Sequence, residues 1–158
     1  MAVEREIRFL VTEGTPPGGG RQMVQGYILR GRISARIRLI DGREGWLALK
    51  APGREGRLEW ECRVPLWLAR WLLTLPLPRV EKRRALFGDL EVDEYSWPQG
   101  LVVVECELDE GVGPALRDRA ACSAWMEARR PGWVKAWRDV TSDHSMTAAR
   151  LARRRPGG

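Results

Sequence analysis

Charged residues two positions apart recur in one short extended run after another. Glu4, Glu6 and Arg8 stand in VEREIRFLV, Arg36 and Arg38 in SARIRLI, Glu59 and Glu61 in RLEWECRV, Lys82 and Arg84 in VEKRRAL, Glu91 and Asp93 in LEVDEY, and Glu105 and Glu107 in VVVECEL. Side chains alternate between the faces of a strand, so residues i and i+2 share a side. Each charged set therefore lies on one face. Ile37 and Leu39, Trp60 and Cys62, Leu90 and Val92, and Val104, Cys106 and Leu108 occupy the other. In a single strand this is an ordinary solvent-facing polar side. Repeated along strands that meet when a sheet closes, it predicts a barrel whose interior is charged, and charges are rarely buried without partners or ligands.

The strand-like runs cover 4–11, 22–30, 34–40, 44–50, 57–64, 78–86, 88–95 and 101–108. Turn signals separate them, among them GTPPGGG at 14–20, the Asp41-Gly42 pair and PGREG at 52–56. Asp-Gly between two strands is a tight-hairpin signal. PLWLARWLL at 65–73 opens on a proline suited to a first helical turn and spaces its apolar residues helically. Residues 109–129 are rich in Ala, Arg and Glu and include helix. The expected fold is mainly β (α+β), an eight-stranded antiparallel closed barrel with a few flanking helices. With 158 residues, no internal repeat and no clear linker, the chain reads as one domain over 1–152 and a basic tail over 153–158.

A net charge of +6 favours anionic partners. The basic charge is nearly all arginine: the lysines are Lys50, Lys82 and Lys135, and two of the three fall at lining positions. Cys62, Cys106 and Cys122 form no C-x-x-C pair, which suits a reducing, cytoplasmic setting. The start has acids and bases where an export signal has an apolar core, and VPLWLARWLLTLPLP is too short and too broken to span a membrane. Carboxylates facing a cavity suit a hard divalent cation. Arginine and lysine beside them suit phosphate oxygens. GTPPGGGR lacks the G-K-[ST] of a phosphate loop, and His144, the only histidine, reads as a surface or capping residue. Trp46, Trp60, Trp67 and Trp71 read as core, which disfavours a nucleic-acid surface.

VEREIRFLV resembles the E-x-E-x-K signature that opens CYTH domains, the triphosphate tunnel metalloenzymes, with Arg8 at the lysine position. The resemblance continues through QGYILRGRISARIRLIDGREGWLALK, RLEWECRVPLWLARWLL, VEKRRALF, LEVDEY and GLVVVECEL. It ends in PGWVKAWRDVTSDHSMTAARLA, similar to a closing P-x-W-x-V-T-x-D stretch, so that about residues 3–152 are covered. What it implies is an eight-stranded tunnel and a metal-dependent enzyme acting on a linear triphosphate with Mg²⁺ or Mn²⁺. Glu4, Glu6, Glu105 and Glu107 match the metal positions. Arg8, Arg36, Arg38, Lys50, Lys82 and Arg84 match the phosphate-holding positions, Glu59 and Glu61 resemble further acidic tunnel positions for metal binding or water activation, and Glu6, Glu59 and Glu61 are the catalytic candidates among which spacing does not choose the base. Asp93 is a weaker match.

The expected reaction is hydrolysis of the terminal phosphate, with inorganic tripolyphosphate as first substrate. Nucleoside or thiamine triphosphate hydrolysis comes next, then cyclisation in the manner of class IV adenylyl cyclases. A non-catalytic polyphosphate-binding module is the alternative from another class. The expected partner is a triphosphate-bearing small molecule, with no membrane, no nucleic acid, and a homodimer left open.

Overall fold

The computed structural model describes residues 2–4, 6–53, 57–98, 100–108 and 119–154. Ten strands form one antiparallel sheet: β1 (Ala2–Glu4), β2 (Glu6–Gly14), β3 (Arg21–Leu29), β4 (Ser34–Ile40), β5 (Glu44–Pro52), β6 (Arg57–Val64), β7 (Arg79–Phe87), β8 (Leu90–Trp97), β9 (Leu101–Glu107) and β10 (Val134–Asp139). The lateral order is β1-β6-β5-β4-β3-β7-β8-β9-β2-β10. Among the described residues three helices join them, α1 (Leu66–Thr74), α2 (Arg119–Glu127) and α3 (Ala148–Leu151), with a 3-10 helix at His144–Met146.

The expected closed eight-stranded barrel is corrected here. Among the described residues the two edges of the sheet are not hydrogen-bonded to each other. The cause lies in the first extended run, which divides between two partners: β1 pairs with β6, whereas β2 pairs with β9 and, on its other side, β10. Glu4 and Glu6 are nevertheless separated by one residue, and Cα atoms that close in sequence are at most roughly 7.6 Å apart. That link draws the opposite ends of the order together and curls the sheet around a central space.

Local chemistry sets the connections. Asp41 and Gly42 take φ of 50° and 66°, the left-handed pair that reverses the chain between β4 and β5. α1 begins after Pro65 and lays Ala69 and Leu73 on the outside of the sheet against Ile37. The approach is close enough to demand glycine beneath it: a Cβ at Gly45 would lie 2.7 Å from Cβ of Ala69.

Apolar residues pack in two other places. On the outer face of β2, β8 and β9, Ile7, Phe9, Leu90, Val92, Val104 and Cys106 are covered by Met126 of α2. Inside the curl, Tyr27, Val80, Tyr95 and Val103 pack with Leu151 and Ala152, so α3 plugs one end. Arg153 does not belong to a tail: it forms an antiparallel bridge with Arg79. Residues 155–158 lie outside the described residues.

Candidate active site

Above the apolar plug the interior turns polar. A cavity of about 480 Å³ is lined by six cationic side chains, Arg8, Arg36, Arg38, Lys50, Lys82 and Arg84, and six carboxylates, Glu6, Glu59, Glu61, Glu91, Glu105 and Glu107. All but one of the metal, phosphate and water-activating positions expected from the sequence thus converge on one space. The exception is Glu4: its backbone pairs with Arg57, and its side chain lies outside the described residues. Asp93 does not line the cavity; it is fully buried beneath it.

The sequence reading missed Tyr27, Ser34, Thr147, Ala148 and Ala149, and His144 is exposed as expected but also lines the cavity. Glu91 was readable by its parity with Asp93 and stands opposite Glu105. His144 and Thr147 carry no such signal, because the 3-10 helix and its flank have no strand period. Trp60, Trp67 and Trp71, expected in the core, are exposed. Alternation gave the face of Trp60 correctly, but among the described residues it stays half exposed, and the two others point outward from α1.

The ion pairs fall into two groups. On one wall Arg36 reaches Glu59 at 3.0 Å and Glu61 at 3.2 Å, Arg38 approaches Glu61 at 3.6 Å, and Lys50 meets Glu59 at 3.1 Å. On the other, Arg84 donates through Nε and Nη2 to the two oxygens of Asp93, each at 2.7 Å, reaches Glu105 at 2.9 Å, and pairs with Glu91. Lys82 also pairs with Asp93 and lies 5.4 Å from the centre of the Tyr95 ring. Arg8 is held from the C-terminal side: its backbone N–H donates to Thr141 Oγ1 at 3.1 Å and its guanidinium to the Thr141 carbonyl at 3.2 Å. The closing V-T-x-D stretch therefore builds one corner of the site.

Burial and crowding displace several titrations. Burial, reinforced by Arg36 and Arg84, lowers Arg38 to about 10. Burial pushes the Tyr27 phenol up, against the pull of Arg36, so it stays a donor. Burial also raises Glu91, with Asp93, Glu105 and Glu107 adding to the shift over the opposing pull of Arg84. Asp93 goes the other way: although burial disfavours its charge, Lys82 and Arg84 hold it well below the usual carboxylate range.

Glu6 stands directly across from Glu107, and Glu91 across from Glu105. Like charges opposite each other on neighbouring strands are destabilising, and a cation between them removes the penalty. Among the described residues no three carboxylate, histidine or cysteine side chains form a ready metal cluster. The donor chemistry still fits: carboxylates from three adjacent strands offer only oxygen, which suits Mg²⁺ or Mn²⁺.

A curled antiparallel sheet that turns arginines, lysines and opposed carboxylates toward a central cavity defines the class: this chain has the CYTH, or triphosphate-tunnel, fold. Particular solved structures share it. The chain is 26% identical to the inorganic triphosphatase NE1496, with 99% of each chain covered and a TM-score of 0.59. It is 13% identical to the PH1012 protein of Pyrococcus horikoshii OT3, over 96% of this chain and 100% of that one, at a TM-score of 0.55. With a putative adenylate cyclase from Bacillus halodurans it shares 12% identity over 90% and 98%, at a TM-score of 0.51. The last two likenesses are of fold alone. No family model and no curated protein matches the sequence.

Proposed function

We propose that the protein is a metal-dependent triphosphatase that hydrolyses the terminal phosphate of a linear triphosphate, inorganic tripolyphosphate first. One observation carries the reading. The Nε atoms of Arg8, Arg36 and Arg38 are buried beside the cavity without a hydrogen-bond partner among the described residues. A buried donor left unmade costs about 1–3 kcal/mol, and a polyphosphate chain offers the acceptor oxygens that would satisfy three of them together. The likeness to an inorganic triphosphatase over the whole chain supports the same conclusion. Among the described lining residues the only rings are Tyr27 and His144, so the wall favours an inorganic chain over a nucleobase or thiamine.

In this reading Arg36, Arg38, Lys50, Lys82, Arg84 and Arg8 grip phosphate oxygens, the arginines through their planar forks. Glu4, Glu6, Glu105 and Glu107 are the residues that would hold Mg²⁺ or Mn²⁺. When bound, that cation neutralises charge on the phosphate oxygens, most of what phosphoryl transfer requires. Glu6, Glu59 and Glu61 face the space where a water would attack the terminal phosphorus. Burial raises Glu61, but Arg38 and Arg36 outweigh it and hold the carboxyl below its ordinary value, so it orients the water and is a poor acceptor of its proton. Orthophosphate and diphosphate leave. No helix among the described residues is long and apolar enough to cross a membrane, and the three cysteines are free, which supports a soluble substrate in the cytoplasm.

Phosphate release from tripolyphosphate, ATP and thiamine triphosphate, each with Mg²⁺, Mn²⁺ or EDTA, tests the proposal. Fast release from tripolyphosphate that EDTA abolishes is the expected result. Tripolyphosphate binding without release from any of the three would make the protein a binding module instead.

A further inference from the structure

The C-terminal segment separates two cavities. His144, Thr147 and Ala148 face the charged interior. From the same segment Ser145, Arg150 and Arg153 turn the other way and, with Arg30 from the β3–β4 connection, line a second pocket of about 360 Å³. No carboxylate lines it among the described residues. Arg30 and Arg153 both donate through Nη1 to the single carbonyl of Ala152, each at 3.1 Å, and Arg153 donates again to the carbonyl of Arg150. Two guanidinium groups on one oxygen hold like charges close together. Among the described residues neither they nor Arg150 has a carboxylate within ion-pair distance.

The nearest acid in sequence is already engaged. Asp143 accepts the Ser145 N–H at 3.0 Å and its hydroxyl at 2.6 Å. The cluster is also built on fixed backbone: Arg79 and Arg153 exchange N–H···O bonds of 3.0 and 3.1 Å, and Trp97 Nε1 donates to the Arg153 carbonyl at 3.3 Å. The three arginines, each exposed to solvent, are thus gathered by the fold around one pocket, where an anion would meet cations alone among the described residues.

We infer that this outer pocket is a second oxyanion site, taking a phosphate group. Arginine forks bind tetrahedral phosphate bidentately, and three of them with no competing carboxylate suit a dianion better than a singly charged carboxylate. The phosphate group comes either from free orthophosphate or from the end of a polyphosphate chain. Bound there, it ties the β3–β4 connection to α3, whose other side walls the interior cavity. The inference is independent of the reaction proposed above.

Calorimetric titration of the full chain in EDTA, once with orthophosphate and once with long-chain polyphosphate, tests it at physiological chloride. Three variants accompany the wild type: Arg38→Ala in the interior, Arg150→Ser/Arg153→Ser, and Arg30→Ser in case the double variant unfolds. Arg38→Ala is expected to retain binding of at least one of the two probes and, on titration, to show shifts of the Ser145 and Arg150 amide resonances. Arg150→Ser/Arg153→Ser is expected to lose that event, weakening it about tenfold or more, and Arg30→Ser to weaken it less. Retention of orthophosphate identifies the free ion, and retention of polyphosphate alone identifies the chain end. Absence of binding of both probes to Arg38→Ala, or binding unchanged in both outer-pocket variants, overturns the inference.

Discussion

On β7 and β8, Lys82 and Arg84 close on Asp93, whose side chain is 0% exposed, and that of Lys82 is 2% exposed. Across the cavity on β4, β5 and β6, Arg36, Arg38 and Lys50 share Glu59 and Glu61, with side chains 14–32% exposed. Both walls are assembled from the same residue types by the same alternation. Their electrostatics differ. The first wall compensates a buried carboxylate with two cations, one through a bidentate fork. The second leaves Nε of Arg36 and Arg38 without a hydrogen-bond partner among the described residues, and Arg38 is crowded by Arg36 and Arg84. A satisfied network rigidifies, whereas unmade buried hydrogen bonds are a standing cost that a ligand removes. The β7–β8 wall is read as the part of the grip that Asp93 holds preset, and the β4–β6 wall as the part that a ligand completes.

The sharpest way to break this contrast is Asp93→Asn. It leaves Lys82 and Arg84 buried without their shared anion, and removal of one partner from a buried pair costs about 3–5 kcal/mol. Urea unfolding at neutral pH measures it; a loss no larger than that of any β4–β6 variant would erase the distinction. The pH dependence has a definite sign. Asp93 is held below its unfolded pKa of about 3.9, so its contribution is complete above that value and is lost as pH falls toward the folded pKa. Wild-type stability is therefore expected to drop below about pH 4 by an increment that Asp93→Asn lacks.

Glu61→Gln tests the gripping wall next. It removes a carboxylate facing the attacking water, takes from Arg38 its Glu61 contact and leaves Arg36 on Glu59, and kcat is expected to fall about 10²-fold with little change in urea midpoint. Arg38→Met follows, with KM for tripolyphosphate raised about tenfold, the equivalent of roughly 1.4 kcal/mol. Because the wild-type guanidinium is buried and crowded, Arg38→Met is expected to unfold at the same urea concentration or higher. The smallest effect is expected outside both walls: Trp67→Ser, at a side chain directed away from the sheet, should change stability by about 0.5 kcal/mol or less and leave turnover intact.

Alternation along the strands made the cavity side of most site residues legible. It placed Arg36 with Arg38, Glu59 with Glu61, Lys82 with Arg84 and Glu105 with Glu107, and the strand at 34–40 was read with the bounds now seen. The Asp-Gly turn followed from backbone chemistry alone. Periodicity names a face but not a neighbour, so it missed the division of the first run between β6 and β9 and with it the unclosed edge. It also missed β10, whose VKAWRD pattern is irregular and whose pairing with β2 contains register shifts. Arg153 read as tail because its anchor, the Arg79 backbone, is a tertiary partner with no signature nearby in sequence.

Arginine Nε–H resonances, followed by NMR while tripolyphosphate is added in EDTA, test the central claim most directly. The account predicts that the Nε–H signals of Arg8, Arg36 and Arg38 shift and gain protection from solvent exchange on binding, while Arg84 Nε–H, already bonded to Asp93 at 2.7 Å, stays where it was. Tripolyphosphate binding that leaves all three signals unmoved would contradict the assignment of these arginines as the grip on the phosphate chain.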